Sequence, residues 1–449
     1  MNVKFYIPLI IAVAMLLAVT LPVLGLPYCY SEAQLLGDSI FYMKNHGIGM
    51  VFNGDSVELP DLFSVAYYLL ARFITTNPLV LHIISLSFAG LSIAAAYKIG
   101  KFFFSVQAGV MSAAIMTVQN IFLAQSGLVL PVMMLNGCIL GGLYTFFREK
   151  YNTCTVLMCA AALTDLTGLF ASALLLVAYY RAKYKEWNMS QNFILALPIA
   201  LWFVYQSISL GVCGKFSTRA AEFSFSNFAE NARFIFIAQH RWAMTAVLLA
   251  VVAVNTVNKN MLYYVKDMAW TSAAMFGIIF ITNSILTSEQ RWNLVPVSMM
   301  AVCTGCAIST LHTSYYSKYI AACAVMAAGA LGVTQRTSVG DAYLNYKSKV
   351  KVDMKTIELI GTNSDGNGII FCDKYLYKYL TNKDFGYIDD LTTYHCTTYD
   401  TTARSQWAIY TDFAAGDDLQ RIREDENYDK RNTIFIGDCT NEIYQKKKK

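Results

Sequence analysis

Four acidic residues and one arginine are the residues of this sequence whose type and position favour chemistry. Glu32 and Asp38 lie in a polar loop over residues 27–60, and Asp61 follows that loop directly. Six positions are about 600° of rotation on a helix, so Glu32 and Asp38 point to different sides and do not form a ready-made pair. One carboxylate held near apolar surface can act as a general base toward a hydroxyl. The simpler interpretation is an exposed loop that carries acids.

Asp165 and Arg291 lie beside apolar segments. Asp165 interrupts a long apolar run, and because a charge at the bilayer centre costs about 2.5 to 3.5 kcal/mol, we place it in a turn nearer the interface. There it can cap a helix, which is the simpler interpretation, or contact a substrate. Arg291 begins another apolar run beside Trp292. Its planar guanidinium can donate two parallel hydrogen bonds to a phosphate, and it can equally anchor the segment at the interface.

These positions give one predicted catalytic residue, Glu32, and four predicted substrate-binding residues, Asp38, Asp61, Asp165 and Arg291. No HExxH, GxSxG, paired CxxC or phosphate-loop motif is present, which argues against soluble-type hydrolases, kinases and metalloenzymes. No metal site is predicted. The cofactor is left unknown, since a divalent cation would lack a ligand cluster. The net charge of +5 is modest and the basic residues form short clusters, so no nucleic-acid partner is predicted.

The composition indicates that a membrane domain must position these residues. The mean hydropathy is +0.41, and only 14% of the residues are charged, whereas an ordinary soluble chain has about 25%. Residues 1–334 contain 18 Lys and Arg and 12 Asp and Glu, whereas the much shorter segment 335–449 contains 17 and 18. We therefore predict a transmembrane domain over residues 1–334 and a soluble domain over residues 335–449.

Eleven membrane spans are predicted from apolar runs that can cross about 30 Å of hydrocarbon. They lie at 5–26, 79–97, 106–124, 128–147, 192–211, 241–257, 268–286, 292–311 and 318–334, with two short spans sharing 153–181. Lys and Arg in alternate loops predict a cytoplasmic N-terminus and an extracytoplasmic C-terminal domain. This orientation requires residues 61–75 to be re-entrant or interfacial. If they cross, the C-terminal domain moves to the cytoplasm.

The soluble segment has the pattern of a small α/β domain. Strands are predicted over 368–372, 407–410 and 433–436, and helices over 373–380 and 417–426. Cys372, Cys396 and Cys439 lie in this segment and could form one disulfide if it faces an oxidising compartment. The terminal lysines 446–449 are predicted to be solvated.

The order of these features resembles the membrane glycosyltransferases of the GT-C superfamily, especially the aminoarabinose transferase and protein O-mannosyltransferase branch. Four segments carry the resemblance: Ser31-Glu32-Ala33, Asn53-Gly54 with Leu59-Pro60-Asp61-Leu62-Phe63, Leu163-Thr164-Asp165-Leu166-Thr167-Gly168, and Arg291-Trp292-Asn293-Leu294-Val295-Pro296. Two departures concern acids. The family's Asp before Glu32 is Ser31 here, and residues 125–131 lack the second acid that relatives often carry.

The resemblance implies a polytopic α-helical membrane protein of the cell envelope, GT-C-like, with a C-terminal extracytoplasmic α/β domain. It also implies an inverting transfer of a sugar from a polyprenyl phosphate carrier to a lipid, glycan or protein acceptor outside the cytoplasm. Glu32 would belong to the catalytic loop and Arg291 to the carrier-phosphate region. The missing acids leave a second hypothesis open, a catalytically inactive binding or assembly protein on the same fold. A transporter is a third, less favoured because no inverted repeat of broken helices is visible.

Overall fold

Helices make up most of the protein, whose computed structural model describes residues 6–47, 61–183, 188–209, 225–257, 266–286, 290–311, 315–332, 338–363, 369–388, 396–397, 405–411, 423, 425–437 and 439–447. Residues 48–60 of the predicted loop, the predicted boundary after residue 334 and most of the predicted helix over 417–426 lie outside these ranges. The chain divides into two compact units. The first unit comprises Met1–Leu21, Leu59–Phe63 and Ile84–Gly340, and the second comprises Pro22–Glu58, Ser64–Ile83 and Asp341–Lys449.

Apolar helices succeed one another through most of the chain. In order they are α1 (Ile7–Leu24), α2 (Tyr30–Leu35), α3 (Phe41–His46), α4 (Leu62–Phe73), α5 (Pro78–Phe103), α6 (Val106–Thr117), α7 (Asn120–Gln125), α8 (Pro131–Phe147), α9 (Tyr151–Thr164), α10 (Leu166–Lys183), α11 (Met189–Ser209), α12 (Phe225–Phe236), α13 (Trp242–Val257), α14 (Lys266–Leu286), α15 (Leu294–Thr310) and α16 (Tyr315–Gly332). A π-helical turn, Leu36–Ile40, joins α2 to α3, and a 3-10 turn, Gln290–Asn293, precedes α15.

Three described helical segments are long and apolar enough to cross a membrane, judged by length and composition: Ile7–Leu24, Pro78–Phe103 and Gln290–Thr310. Shorter apolar helices of 10–17 residues account for much of the remainder. The break predicted within 153–181 is present, since α9 and α10 meet at Asp165. By contrast, the single span predicted over 106–124 is two helices, because Gln119 has an extended backbone before α7. The count of eleven spans stays a prediction.

Small side chains let helices of the first unit approach closely. A Cβ atom on Gly305 of α15 would lie 2.4 Å from the backbone nitrogen of Ser112 on α6. The Ser112 hydroxyl donates a hydrogen bond of 3.0 Å to the carbonyl of Val302 on α15. Close backbone approach at Gly and Ser, with hydrogen bonds between helices, is how helices associate where lipid is as apolar as the side chains.

The C-terminal part of the second unit contains a five-stranded sheet. Along the chain, one helix precedes the first strand and another follows it. The elements are α17 (Ser338–Asn363), β1 (Ile369–Phe371), α18 (Lys374–Thr381), β2 (Cys396–Thr397), β3 (Ser405–Thr411), β4 (Tyr428–Ile436) and β5 (Cys439–Lys446). The strand order is β2-β1-β3-β5-β4. Strand β1 is parallel to β2 and β3, whereas β5 is antiparallel to β3 and β4. The hydrophobic core beside the sheet includes Phe371, Ala408, Tyr410, Tyr428 and Tyr444.

The small C-terminal sheet agrees with the predicted α/β pattern. The strands predicted over 368–372, 407–410 and 433–436 and the helix predicted over 373–380 correspond to β1, β3, β4 and α18. Strand β5 was not predicted, and it extends to Lys446, one of the terminal lysines predicted to be solvated. Asp373 supplies the capping signal for α18, because its side chain accepts hydrogen bonds from the backbone nitrogens of Tyr375 and Leu376 at 2.7 and 3.2 Å.

Candidate functional site

Glu32, the predicted catalytic residue, lies on the first turn of α2 and is completely buried in the second unit. One carboxylate oxygen, Oε2, accepts a hydrogen bond of 3.1 Å from the backbone nitrogen of Cys29, the residue that caps the helix. An acid at the third helical position that reaches back to the cap residue is one half of a capping box. Glu32 therefore fixes the start of its own helix.

His82 is the second partner of the Glu32 carboxylate. Its Nε2 atom lies 3.0 Å from Oε1 of Glu32, and its Nδ1 atom lies 2.8 Å from the carbonyl oxygen of Leu24. A carbonyl oxygen only accepts hydrogen bonds, so Nδ1 must carry a hydrogen. The contact between Nε2 and Oε1 then requires one more proton, bound to either the histidine or the glutamate. Both side chains are at most 1% exposed.

Aromatic side chains surround this pair. The Tyr28 ring lies 5.3 Å from the His82 ring and 5.9 Å from the Phe41 ring. The Tyr28 hydroxyl donates to the carbonyl of Thr76 at 2.9 Å, and its own carbonyl accepts from the Tyr387 hydroxyl at 3.1 Å. Burial, with the nearby Glu32 carboxylate as a second cause, raises the pKa of Tyr28 far above its usual range. The pair thus lies in low-dielectric surroundings, where charge interactions are strong.

Asp38 has a different environment, although it is only six positions from Glu32. It lies on the π-helical turn, and its carboxylate oxygen Oδ1 is 2.6 Å from Nζ of Lys378 on α18. The Asp38 side chain is 61% exposed, so water screens this ion pair. Asp38 is the more accessible of the two acids and can reach a polar ligand directly.

Asp165 and Arg291 lie on two turns of the first unit that one hydrogen-bond network connects. Asp165 accepts from the backbone nitrogen of Thr167 at 2.8 Å, which is the capping contact expected of an acid at this position. The Thr167 hydroxyl donates to Oδ1 of Asn283 at 3.2 Å. The Asn283 amide in turn donates to the carbonyl of Trp292 at 2.7 Å. The turn that contains Arg291 is therefore held beside the break that contains Asp165.

The Arg291 turn also has polar contacts with α12. The Asn293 amide donates to Oδ1 of Asn231 at 2.7 Å, and both residues are buried. The Gln290 amide donates to Oε1 of Glu230 at 3.0 Å on the exposed side of the same turn. Arg291 itself is half-buried. A partly exposed guanidinium on such a turn can bind an anionic group.

The predicted site residues are divided between the two units. Glu32 and Asp38 belong to the second unit, whereas Asp61, Asp165 and Arg291 belong to the first, with Asp61 half-buried just before α4. Among the described residues, no group of three or more His, Cys, Asp or Glu side chains could hold a metal ion.

Three residues that the sequence did not single out complete these contacts: His82, Asn283 and Lys378. The signal for His82 and Asn283 was a polar residue inside an apolar run, because a buried polar group needs a hydrogen-bond partner. That signal identifies the residue but not its partner. His82 and Glu32 are 50 positions apart, and only the tertiary structure brings them together.

The fold is GT-C-like. One solved structure with this likeness is the crystal structure of ArnT, an aminoarabinose transferase of the GT-C family, from Cupriavidus metallidurans in the apo state. It matches 97% of this chain and 97% of its own, with a TM-score of 0.51 and 13% sequence identity. No protein-family model and no curated protein matches the sequence. The likeness confirms the GT-C-like fold, and at this identity it concerns the fold alone.

Proposed function

We propose that this chain is a multi-pass membrane glycosyltransferase that moves a sugar from a polyprenyl phosphate carrier to a lipid, glycan or protein acceptor outside the cytoplasm. The observation that carries the proposal is the GT-C-like fold, matched over 97% of the chain. Fold alone does not define chemistry, so the proposal also relies on residues at the family's functional positions. Glu32 and Arg291 are those residues.

In the proposed reaction, the acceptor oxygen forms a bond to the anomeric carbon of the sugar from the side opposite the carrier. The bond from that carbon to the carrier phosphate breaks, and the phosphate leaves with the electron pair, so the configuration inverts. Glu32 takes the hydroxyl proton as general base. Arg291 donates hydrogen bonds to the departing phosphate and compensates its charge. Asp38, Asp61 and Asp165 are proposed to contact substrate.

The proposed topology has eleven spans over residues 1–334, a cytoplasmic N-terminus and an extracytoplasmic domain over residues 335–449. The length of α4 supports the part of this topology that depends on residues 61–75. Its 12 residues extend about 18 Å, well short of about 30 Å of hydrocarbon. A helix of this length is compatible with the interfacial or re-entrant position that the proposed topology requires.

A second candidate function is a non-catalytic binding or assembly protein on the same fold. The burial of Glu32 favours this alternative, because both of its carboxylate oxygens make hydrogen bonds that fix α2. In substrate-free enzymes, however, catalytic contacts are often rearranged when substrate binds. Turnover therefore separates the two functions, and flux of substrate into sealed vesicles identifies the transporter.

The test is sugar transfer by purified protein in vesicles supplied with a panel of radiolabelled polyprenyl phosphate monosaccharides and a cell-envelope extract as acceptor. We expect donor-dependent release of polyprenyl phosphate, and we expect Glu32→Gln to lower its rate by about 10² to 10⁴ because the base is lost. The melting temperature of Glu32→Gln should fall by only a few degrees. Glu358→Gln, at an exposed position of α17, is the control and should behave like wild type.

A glycosyltransferase is contradicted if the folded wild-type protein binds polyprenyl phosphate monosaccharides but releases no carrier phosphate with any of them. In that case Glu32→Gln would change stability without changing binding, as the non-catalytic alternative requires. Full activity in Glu32→Gln would show instead that another group is the base, and Asp38 and Asp61 are the residues to replace next.

A further inference from the structure

The buried pair of His82 and Glu32 has a proton arrangement that the hydrogen bonds determine. Because Nδ1 of His82 donates to the Leu24 carbonyl, the ring is fixed with Nε2 facing Glu32 at 3.0 Å. If the extra proton is on the histidine, the pair is an imidazolium and a carboxylate. If it is on the glutamate, the pair is neutral. The backbone N–H of Cys29, which donates to the other carboxylate oxygen, favours the ionised glutamate.

We propose that His82 is a positioning residue that keeps Glu32 ionised and correctly oriented, so that the carboxylate can accept a proton from the acceptor hydroxyl. This inference rests on the proposed function, in which Glu32 is the general base. A carboxylate without a partner in an apolar interior is strongly disfavoured and takes up a proton instead. A protonated Glu32 could not act as a base. The imidazolium therefore makes the buried acid usable.

Among the described residues, the other charged or titratable groups that interact with the tyrosines beside the pair do not replace this cation. Glu32, Tyr67 and Asp384 interact electrostatically with Tyr28. Asp353, Cys29 and Glu32 interact electrostatically with Tyr387. These groups are neutral or negative at neutral pH. Lys44 is bound to Asp384 at 2.6 Å, so its charge is compensated there.

During transfer, the hydroxyl proton moves to the Glu32 carboxylate as the new bond to the sugar forms and the bond to the carrier phosphate breaks. His82 keeps both of its ring hydrogens and continues to donate to Glu32 and to Leu24. Glu32 then returns its proton to water before the next cycle. The transfer changes no oxidation state, so no oxidant or reductant is required.

The first test is the pH dependence of the transfer rate in His82→Gln, which retains a hydrogen-bond donor but has no charge. We expect the acid limb of the profile to move to higher pH by about one unit or more, because Glu32 now keeps its proton. His82→Lys restores a cation and should move the limb back toward wild type. His46→Gln is the matched control, since His46 is exposed and contacts Tyr42 instead. An unchanged acid limb in folded, active His82→Gln would overturn the inference.

The second test does not depend on activity and therefore separates this inference from the proposed function. Infrared spectra of protein with ¹³C-labelled glutamate, minus those of Glu32→Gln, report the protonation state of Glu32 alone. At pH 7 we expect a carboxylate band in wild type and a protonated carboxyl band in His82→Gln. A protonated band in wild type, or the same carboxylate band in both proteins, would show that His82 does not keep Glu32 ionised.

If His82→Gln does not fold, the double variant Glu32→Gln, His82→Gln keeps the inference testable. Removing both partners leaves no uncompensated buried charge, so the double variant should fold and show a cooperative melting transition although His82→Gln does not. A double variant that also fails to fold would show that His82 is not needed to balance the charge of Glu32 and would overturn the inference.

Discussion

At the scale of single residues, the environment of each carboxylate decides its chemistry more than its position in the chain does. Glu32 is enclosed by His82, the Cys29 backbone and aromatic rings, whereas Asp38 faces water beside Lys378. The interaction of Asp38 with lysine is screened and contributes little to stability. The interaction of Glu32 with His82 lies in low-dielectric surroundings, so it changes when either partner is lost. Glu32 therefore suits proton transfer, and Asp38 suits contact with a polar ligand.

Arg291 provides a direct test of whether the carrier is a phosphorylated lipid. Arg291→Lys retains the charge but loses the planar pair of donors, whereas Arg291→Ala loses both. A phosphate-binding role predicts a graded loss of affinity for polyprenyl phosphate, with alanine weaker than lysine by about tenfold or more. Titration of each detergent-solubilised variant with polyprenyl phosphate, beside a melting curve, measures this.

The control for Arg291 is Arg233→Ala, which removes an exposed arginine from α12 in the same unit. It should bind carrier as wild type does. If Arg291 only anchors its turn beside Trp292, both Arg291 variants will also bind carrier normally, and alanine alone will lower the melting temperature slightly. Unchanged affinity in well-folded Arg291→Ala would remove Arg291 from the site and weaken the transferase proposal.

The sequence identified the acids and the arginine but not the contacts that define their roles. Asp165 was expected to cap a helix, and its bond to the Thr167 nitrogen agrees, because capping depends on residues two or three positions away. The partners of Glu32 and Asp38 could not be predicted from the sequence. His82 is 50 positions from Glu32 and Lys378 is 340 positions from Asp38, and no local sequence pattern indicates contacts over such separations.

At the scale of elements, strand β5 contains an acid whose neighbours make the sheet sensitive to pH. Burial alone would raise the pKa of the Glu442 carboxyl, but hydrogen bonds from Arg423, Lys430 and Tyr444 outweigh it and lower that pKa to about 2. As pH falls below the usual value of 4.5, the unfolded chain takes up the proton first. The stabilisation is therefore complete above about pH 4.5 and is lost as pH falls to about 2.

Melting curves across this range give the measurement. The melting temperature of wild type should fall between about pH 5 and pH 2, and Glu442→Gln should show a smaller fall because it has no proton to gain. Glu426→Gln, at an exposed carboxyl outside the cluster, is the control and should follow wild type. Parallel curves for wild type and Glu442→Gln would mean that the Glu442 cluster does not affect the pH dependence of folding.

The contact between α6 and α15 depends on the absence of a side chain at Gly305. Alanine there would place its Cβ atom 2.4 Å from the Ser112 nitrogen, so one helix must move. We expect Gly305→Ala to destabilise the protein by about 1 to 3 kcal/mol, as overpacking does. Gly277→Ala on α14 is the matched control, because a Cβ atom there meets nothing within 4 Å. Equal melting temperatures in detergent for the two variants would contradict this account of the packing.

Elements could be predicted where a local pattern defines them. Composition and period identified α18, β1 and β3, and the Thr-Asp-Leu-Thr-Gly sequence identified the break between α9 and α10. Strand β5 was missed because its polar surface resembles a solvated tail, and its pairing with β3 and β4 supplies the order that its sequence lacks. The extended backbone at Gln119 was missed although the polar pair Gln119-Asn120 interrupts the apolar run, because a polar pair can also be buried inside a continuous helix when it is hydrogen-bonded.

At the scale of the whole molecule, several basic residues of the first unit gather at one end of its helices. Arg148 lies 5.3 Å from the Phe102 ring and Lys98 lies 5.6 Å from the Tyr144 ring. Near the end of α10, Lys183 is 3.1 Å from Glu149. These cations all belong to loops predicted to be cytoplasmic. Their proximity supports the orientation taken from the positive-inside rule.

Helix α10 separates this basic end from the turns of Asp165 and Arg291. Asp165 precedes its first residue and Lys183 is its last, so its 18 residues extend about 27 Å between them. That length is close to the thickness of the hydrocarbon core. The two turns that the hydrogen-bond network connects would then face the side opposite the basic residues. This supports an extracytoplasmic position for the predicted carrier-phosphate region.

Cysteine accessibility in intact cells tests this topology. In a background without the eleven native cysteines, single cysteines replace Asn363 at the end of α17, Asp55 in the first predicted outside loop, and Lys183 at the basic end. A membrane-impermeant thiol reagent should label the first two and not the third, because the model of eleven spans puts only Lys183 in the cytoplasm. After the cells are opened, all three positions should react, which controls for burial. Protection of the Asp55 and Asn363 positions together with labelling at Lys183 would invert the topology. Labelling at Asp55 and Lys183 with protection at Asn363 would show that residues 61–75 cross the membrane and would place the C-terminal domain in the cytoplasm.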